Sequence, residues 1–269
     1  MTKKHNSFVS NLYIFIVMAF MYIPILVMII YSFNDSKSRG AWAGFTTKWY
    51  VDLIHNEAIL TALWNTLVVA VISSVVATML GTAAAVGIQA MKKRNRDLIM
   101  NFTYLPVMSP EIVMGVSLML LFVMFGVDFS LITVIIAHIT FNVPYVILSV
   151  LPKLRQMDQY LFEAAMDLGC TPVQAFLKVM LPEILPGIIS GFLIAFTFSL
   201  DDFNISYFVS GERAQTLPVL IYSMTRKRVS PEINALSAII FVVVLAVLII
   251  TNVNDIRKEK QMQKGGRRG

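Results

Sequence analysis

Apolar residues along this chain fall into six long runs, at about 12–33, 62–90, 99–125, 130–151, 183–208 and 233–254. A helix of roughly 20 apolar residues crosses the hydrocarbon core of a bilayer. Charged residues collect between the runs, so the pattern predicts six membrane-spanning helices in one domain at 12–254. A short N-terminal segment, 1–11, and a basic tail, 255–269, flank it. The first run follows Lys3 and Lys4, and Ala41-Trp42-Ala43 has the form of a signal-peptide cleavage site. The run exceeds the roughly 7–15 residues of a signal core, however, and the Ala-x-Ala lies well past its end, so a retained helix is expected.

Composition agrees. Of 269 residues, 57% are hydrophobic and 14% charged, against about 25% charged in a soluble domain. Mean hydropathy is +0.72. The single cysteine, Cys170, excludes an intrachain disulfide. A net charge of +6 would suggest nucleic acid in a soluble protein. Here the basic residues flank apolar runs, so they report topology and no nucleic acid partner is expected.

With the N-terminus inside, 15 of the 22 Lys and Arg residues fall on inner segments, among them Lys92, Lys93, Arg94 and Arg96, and 7 on outer ones. That asymmetry places both termini in the cytoplasm. Arg226–Arg228 runs against it, on a loop long enough to cross regardless of charge. The second run carries Gly81, Ala84, Ala85 and Gly87, small residues that let helices approach closely in lipid. The tail beyond Asn254 suits anionic lipid headgroups.

The inner loop at about 152–182 is more regular than a plain connector. Asp158 suits the cap of a short helix over about 159–168, and Gly169 the left-handed position that ends one. Thr171 suits a second cap, with Pro172 in the first turn. Leu161, Ala165 and Leu168 share a face of the first helix, with Phe162 and Met166 beside it. Such a face is covered either by the chain's own bundle or by a groove on a partner.

Glu163-Ala164-Ala165-x-x-x-Gly169, then nine residues and Val179-x-Leu181-Pro182, resembles the EAA loop of ABC importer permeases, with Val where the family has Ile. The resemblance covers essentially the whole chain. It implies an all-α type I ABC importer permease whose coupling helix, around Glu163, Ala164 and Ala165, docks in a cleft of a dimer of cytoplasmic ATPase subunits. Gly169 would permit the turn and Pro182 would start the fifth span; both are also ordinary helix punctuation. The sequence has no GxxxxGK[ST] phosphate loop, so this chain is expected to be no enzyme and to bind no cofactor. ATP and Mg would be used by the partner ATPase.

Ionisable residues within spans are functional candidates by default. Asp201 and Asp202 interrupt the fifth run in Phe198-Ser199-Leu200-Asp201-Asp202-Phe203, and Glu111 follows Ser109-Pro110 in the third. In a straight fifth helix Asp201 would lie roughly 8 Å outward of the midplane. The two aspartates would point about 100° apart, so one would line a path while the other bound a neighbouring backbone or a partner. Alternatively both are solvated at the outer helix end. Ser109 suits an N-cap, Pro110 a first helical residue and Glu111 a dipole-stabilised first turn; a span broken near Pro106–Pro110 follows. His138, in the fourth run, reads as a packing residue with one hydrogen bond. That leaves three acids without a basic partner, which suits a cationic amine beside Phe198, Phe203, Tyr207 or Tyr22.

Ser199-Leu200-Asp201-Asp202-Phe203, with Pro106 and Pro110-Glu111, resembles the spermidine/putrescine branch of these permeases, the second of its two permease subunits. The resemblance implies polyamine import through the bacterial cytoplasmic membrane, with a homologous second permease and an extracytoplasmic polyamine-binding protein. Ser199 and Trp49 join the expected path. Trp49 and Tyr50 equally suit an interfacial aromatic anchor. Another cationic or small organic solute, or an ion-coupled secondary transporter, are the competing readings. A membrane enzyme is disfavoured: there is no HExxH, no GxSxG and no His/Cys cluster.

Overall fold

The structure, a computed structural model, describes residues 7–36, 41–158, 160–212, 214–227, 231–243 and 245–246. The expected N-terminal residues 1–6, the end of the sixth run at 247–254 and the tail 255–269 lie outside the described residues. Among the described residues the chain is helical, with one isolated bridge between Asn34 and Phe45. The order is α1 Ser7–Tyr31, α2 Lys48–His55, α3 Glu57–Ala90, α4 Lys93–Met108, α5 Glu111–Met124, α6 Leu131–Gln156, α7 Tyr160–Asp167, α8 Pro172–Ala175, α9 Leu181–Asp201, α10 Asn204–Val209, α11 Leu217–Lys227 and α12 Pro231–Val243.

Four stretches are long and apolar enough to cross a membrane: Ser10–Tyr31, Glu57–Ala90, Leu131–Gln156 and Pro172–Asp201. The third expected span is broken. α4 and α5 meet at a bend of 103°, and the 14 residues of α5 reach only about 21 Å. Pro110 has no N–H to continue the ladder, and it pushes Ser109 into extended backbone (φ −77°, ψ 141°). The expected cap is corrected here. Ser109 ends α4, its hydroxyl donating to the Leu105 carbonyl at 2.7 Å, and Pro110 precedes the first residue, Glu111.

The fifth span also departs from a straight rod. It begins at Pro172, passes through a π-helical turn at Phe176–Met180, and ends at Asp201. Leu181 N–H reaches back five residues to the Phe176 carbonyl. The next residue, Pro182, cannot donate, so the widened turn sits where the regular ladder would fail anyway. Pro182 therefore lies within a continuous helical stretch and does not start it. At the other end Asp202 leaves helical backbone (φ −62°, ψ 120°), and α10 begins two residues later. The depth estimate for Asp201 assumed an unbroken helix to residue 208 and does not hold.

The described residues form two compact units, one within 58–222 and one drawn from those before 58 and after 222. In the larger, α6 packs chiefly on α9. One apolar core joins Ala85 and Ile88 of α3, Met100 of α4, Val146 and Val150 of α6, and Ile184 of α9. A second joins Val69 of α3, Leu118 and Phe122 of α5, Phe141 of α6 and Ile205 and Val209 of α10. Close approach depends on several glycines, Gly81 and Gly115 among them. A Cβ on Gly81 would stand 2.6 Å from Val146 Cβ, and one on Gly115 would stand 3.2 Å from the Asn204 carbonyl oxygen. Gly87, expected to serve the same packing, has nothing within 4 Å.

In the smaller unit, Asn34 is the knot. Its amide donates to Ala41 O at 2.9 Å, its side-chain oxygen accepts from Ala43 N at 2.8 Å, and its backbone carbonyl accepts from Trp49 Nε1 at 2.8 Å. Phe33 stacks on Phe45 and tilts against Tyr50.

Candidate functional site

Both helix breaks open onto one cavity of about 180 Å³ in the larger unit. Pro106, Ser109 and Glu111 line it from the α4–α5 break, and Asp201, Asp202, Phe203 and Asn204 from the α9–α10 break; Phe141, Tyr145 and Phe198 complete the wall. The approach of α5 to α10 at Gly115, one turn beyond Glu111, brings Glu111 beside Asn204. Asn204 Nδ2 donates to Glu111 Oε2 at 2.7 Å. Tyr145 and Phe198 meet edge to face with centroids 4.8 Å apart. Phe203 packs on Tyr222 at 4.4 Å and on Tyr207 at 5.4 Å.

The two aspartates differ. Asp201 is exposed. Asp202 caps α10: Oδ1 accepts from Ile205 N at 3.2 Å and Oδ2 from Ser206 N at 2.7 Å. The fully buried imidazole of His138 stands 3.3 Å from Asp202 Oδ2 and 3.0 Å from Ser206 Oγ. This corrects the sequence reading, in which the acids had no basic partner and His138 was a packing residue with one hydrogen bond. The pair joins residues 64 positions apart on different helices, beyond the reach of local pattern.

Ser199 takes no part in the cavity lining. It is buried between three helices, accepting from Asn142 Nδ2 at 2.8 Å and sharing a hydrogen bond with Ser73 Oγ at 3.0 Å. Its expected place on the path gives way to an interhelical hydrogen bond, of the kind that joins helices in lipid. Trp49 belongs to the smaller unit, buried and held through its indole N–H to the Asn34 carbonyl. Sequence reasoning missed Asn142, Tyr145 and Asn204, and the partner of His138. The available signal was the spacing of His138 and Asn142, four apart on one face of an apolar helix.

The loop after α6 has the anticipated punctuation. Tyr160 N donates to Asp158 Oδ1 at 3.0 Å. Gly169 takes φ +90°; its N–H reaches Met166 O and Cys170 N–H reaches Ala165 O, the two bonds of a Schellman cap. Thr171 and Gln174 form a capping box. Ala165 is buried, Glu163 and Ala164 are exposed, and Leu161, Leu168 and Val173 present apolar surface outward. A shallow apolar groove of about 450 Å³ runs beneath α7, lined by Leu154, Met157, Phe162, Glu163, Phe176 and Met180 among others.

Long apolar helices, two helix breaks around an acidic cavity and a capped helical loop define a multi-pass membrane permease. Residues 77–256 match the family described as the binding-protein-dependent transport system inner membrane component. The chain belongs to that family. It is 38% identical over 248 residues to the spermidine/putrescine transport system permease protein PotC of Shigella flexneri, spanning 92% of this chain and 93% of that one. It is 41% identical over 249 residues to the putrescine transport system permease protein PotI of Escherichia coli K12, spanning 90% and 89%. Its fold is also that of a chain in a bacterial ABC transporter involved in the import of the acidic polysaccharide alginate. The TM-score is 0.71 at 18% identity, over 93% of this chain and 94% of that one. The MetNI methionine ABC transporter gives 0.59 at 19%, over 79% and 98%. The protein thus has the type I ABC importer permease fold.

Proposed function

We propose that this chain imports polyamines, spermidine or putrescine, as one permease of a pair. An extracytoplasmic binding protein delivers the amine, and a dimer of separate cytoplasmic ATPase subunits drives the cycle with ATP and Mg. Both termini lie in the cytoplasm and the complex sits in the bacterial cytoplasmic membrane.

One observation carries the reading. The cavity at the helix breaks is lined by Glu111, Asp201 and Asp202 with aromatic rings and by no Lys or Arg. A neighbouring ammonium group would compensate the exposed carboxylates, and methylenes would lie against Phe198, Phe203 and Tyr145. The similarity to polyamine permeases at 38–41% identity supports the same cargo. The fold alone does not set the charge of the cargo, since a chain of the same fold belongs to a transporter of an acidic polysaccharide. At the loop, the exposed apolar side chains of α7 and α8 are the surface offered to the ATPase, with Glu163 available to a basic partner and Ala164 permitting close approach.

ATP-dependent uptake of labelled spermidine and putrescine into proteoliposomes, with wild type beside Asp201→Asn, is the test. Uptake by wild type and its loss in Asp201→Asn, with assembly and ATP hydrolysis intact, is the expected result. Uptake of neither amine by wild type would sink the polyamine reading and leave the family assignment standing. Uptake without ATP would sink the ATPase partnership.

A further inference from the structure

We propose that His138 is a positioning residue of the cation site. It holds Asp202 as the pin of the α9–α10 break, so that Asp201 and Glu111, and not Asp202, take the positive charge of the cargo. The cargo here is the amine of the reading above, on which this proposal rests.

Asp202 is already engaged at both oxygens. Oδ1 accepts from Ile205 N and Oδ2 from Ser206 N, and His138 Nε2, hydrogen-bonded to Ser206 Oγ at 3.0 Å, stands 3.3 Å from Oδ2. Two of the roughly four acceptor positions of a carboxylate are thus taken by backbone amides, and the imidazole stands beside a third. Its side chain is 5% exposed. Turning out of this buried place toward an ammonium group would break the cap of α10 and leave two backbone N–H groups without partners in a low-dielectric site. Asp201, one residue earlier, is exposed on the same cavity.

The imidazole does more than fill space. His138 is 0% exposed, and its Nδ1 has no hydrogen-bond partner. The tautomer with the proton on Nε2 leaves only an acceptor unpaired and sets a donor between Ser206 Oγ at 3.0 Å and Asp202 Oδ2 at 3.3 Å. The opposite face of the arrangement is the cavity wall: the His138 ring meets Phe141 edge-on at 5.2 Å, and Phe141 lines the cavity. One buried side chain thus fixes both the carboxylate that caps α10 and the ring beside it. α10 in turn carries Asn204, the donor to Glu111.

The experiment uses the full complex, this chain with its second permease, ATPase subunits and binding protein. His138→Leu, His138→Gln, Asp202→Asn and the double variant His138→Leu with Asp202→Asn are compared for KM and kcat of amine uptake. His138→Leu strands a buried carboxylate and is expected to raise KM about tenfold or more with a smaller change in kcat. His138→Gln restores a donor and is expected to return KM to within about threefold of wild type. Asp202→Asn keeps one of the two capping oxygens and turns a donor toward a backbone amide, so it is expected to raise KM in the same direction as His138→Leu, with the double variant no worse than the more harmful single one. Gln as harmful as Leu, or a double variant whose KM rises by the product of the two single effects, overturns the proposal.

A readout without any amine separates this claim from the cargo. In a Cys170→Ser background, Tyr207→Cys on α10 is labelled with a membrane-impermeant maleimide in detergent. The rate is expected to change with His138→Leu and to recover with His138→Gln. An unchanged rate overturns the pin even where uptake is lost. If wild type carries no amine, the cargo reading fails while the labelling still decides whether His138 pins the break. If His138→Leu does not assemble, His138→Gln and Asp202→Asn decide it.

Discussion

Asn204 and Glu111 are each the first residue of a helix that follows a break, and the side chain of one donates to the other at 2.7 Å. The two interruptions are therefore joined directly. Glu111 gains a fixed orientation, and the cavity gains a carboxylate whose second oxygen is not engaged by Asn204. Replacing Asn204 with Leu removes a donor to a charged acceptor, an interaction of about 1.5–3 kcal/mol. The expected result is a KM for amine raised about tenfold or more, measured in proteoliposomes, and larger than the change from Asn204→Gln. Equal KM values for Asn204→Leu and wild type would show that Glu111 needs no orientation.

Ser199 separates packing from transport. Ser199→Ala removes its hydrogen bonds to Asn142 and Ser73, each worth about 0.6 kcal/mol between helices in lipid. A small fall in thermal midpoint in detergent is expected, with KM for amine unchanged. A raised KM with an unchanged midpoint would return Ser199 to the path.

Gly81 sets the distance between α3 and α6. A Cβ there would stand 2.6 Å from Val146 Cβ, so Gly81→Val should destabilise by about 1–3 kcal/mol. Val146→Ala in the same chain should recover part of the loss. Thermal unfolding of the purified chain in detergent checks both, and no recovery would mean that the strain lies elsewhere.

Gly169 holds φ +90° with no atom near its missing Cβ. The penalty for a side chain there is thus conformational, about 1–2 kcal/mol, and falls on the α7 cap. Gly169→Val is expected to lower uptake per ATP hydrolysed while leaving binding-protein docking intact. Transport and hydrolysis measured together in the same vesicles provide the check, and an unchanged ratio would divorce this cap from coupling.

The local grammar of the chain was readable. Asp158, Gly169 and Thr171 act within four residues of their own positions, so their caps follow from sequence alone, as do the long apolar helices. The break at Pro110 was readable for the same reason, though Ser109 closes one helix where it was expected to open the next. The pairing of Asp202 with His138 was not readable, because it is made by the packing of α6 on the α9–α10 break. Neither was the burial of Ser199, which depends on Ser73 and Asn142 arriving from two other helices. The break after Asp201 contains no proline or glycine to announce it. It exists because Asp202 satisfies the amides of α10 instead of continuing α9.

Each break has two sides, and the backbone itself makes them unequal. The amide ends, at the start of α5 and α10, carry this chain's own acids, Glu111 in the first turn of one and Asp202 at the cap of the other. The carbonyl ends belong to α4, which stops at Met108, and to α9, which stops at Asp201. The last carbonyls of a helix have no partners within it and carry partial negative charge. Ser109 and Asp201 set both of those ends at the cavity. The negative ends of two helices thus lie beside the side-chain carboxylates, and part of the attraction for a cation would survive neutralisation of every acid in the wall.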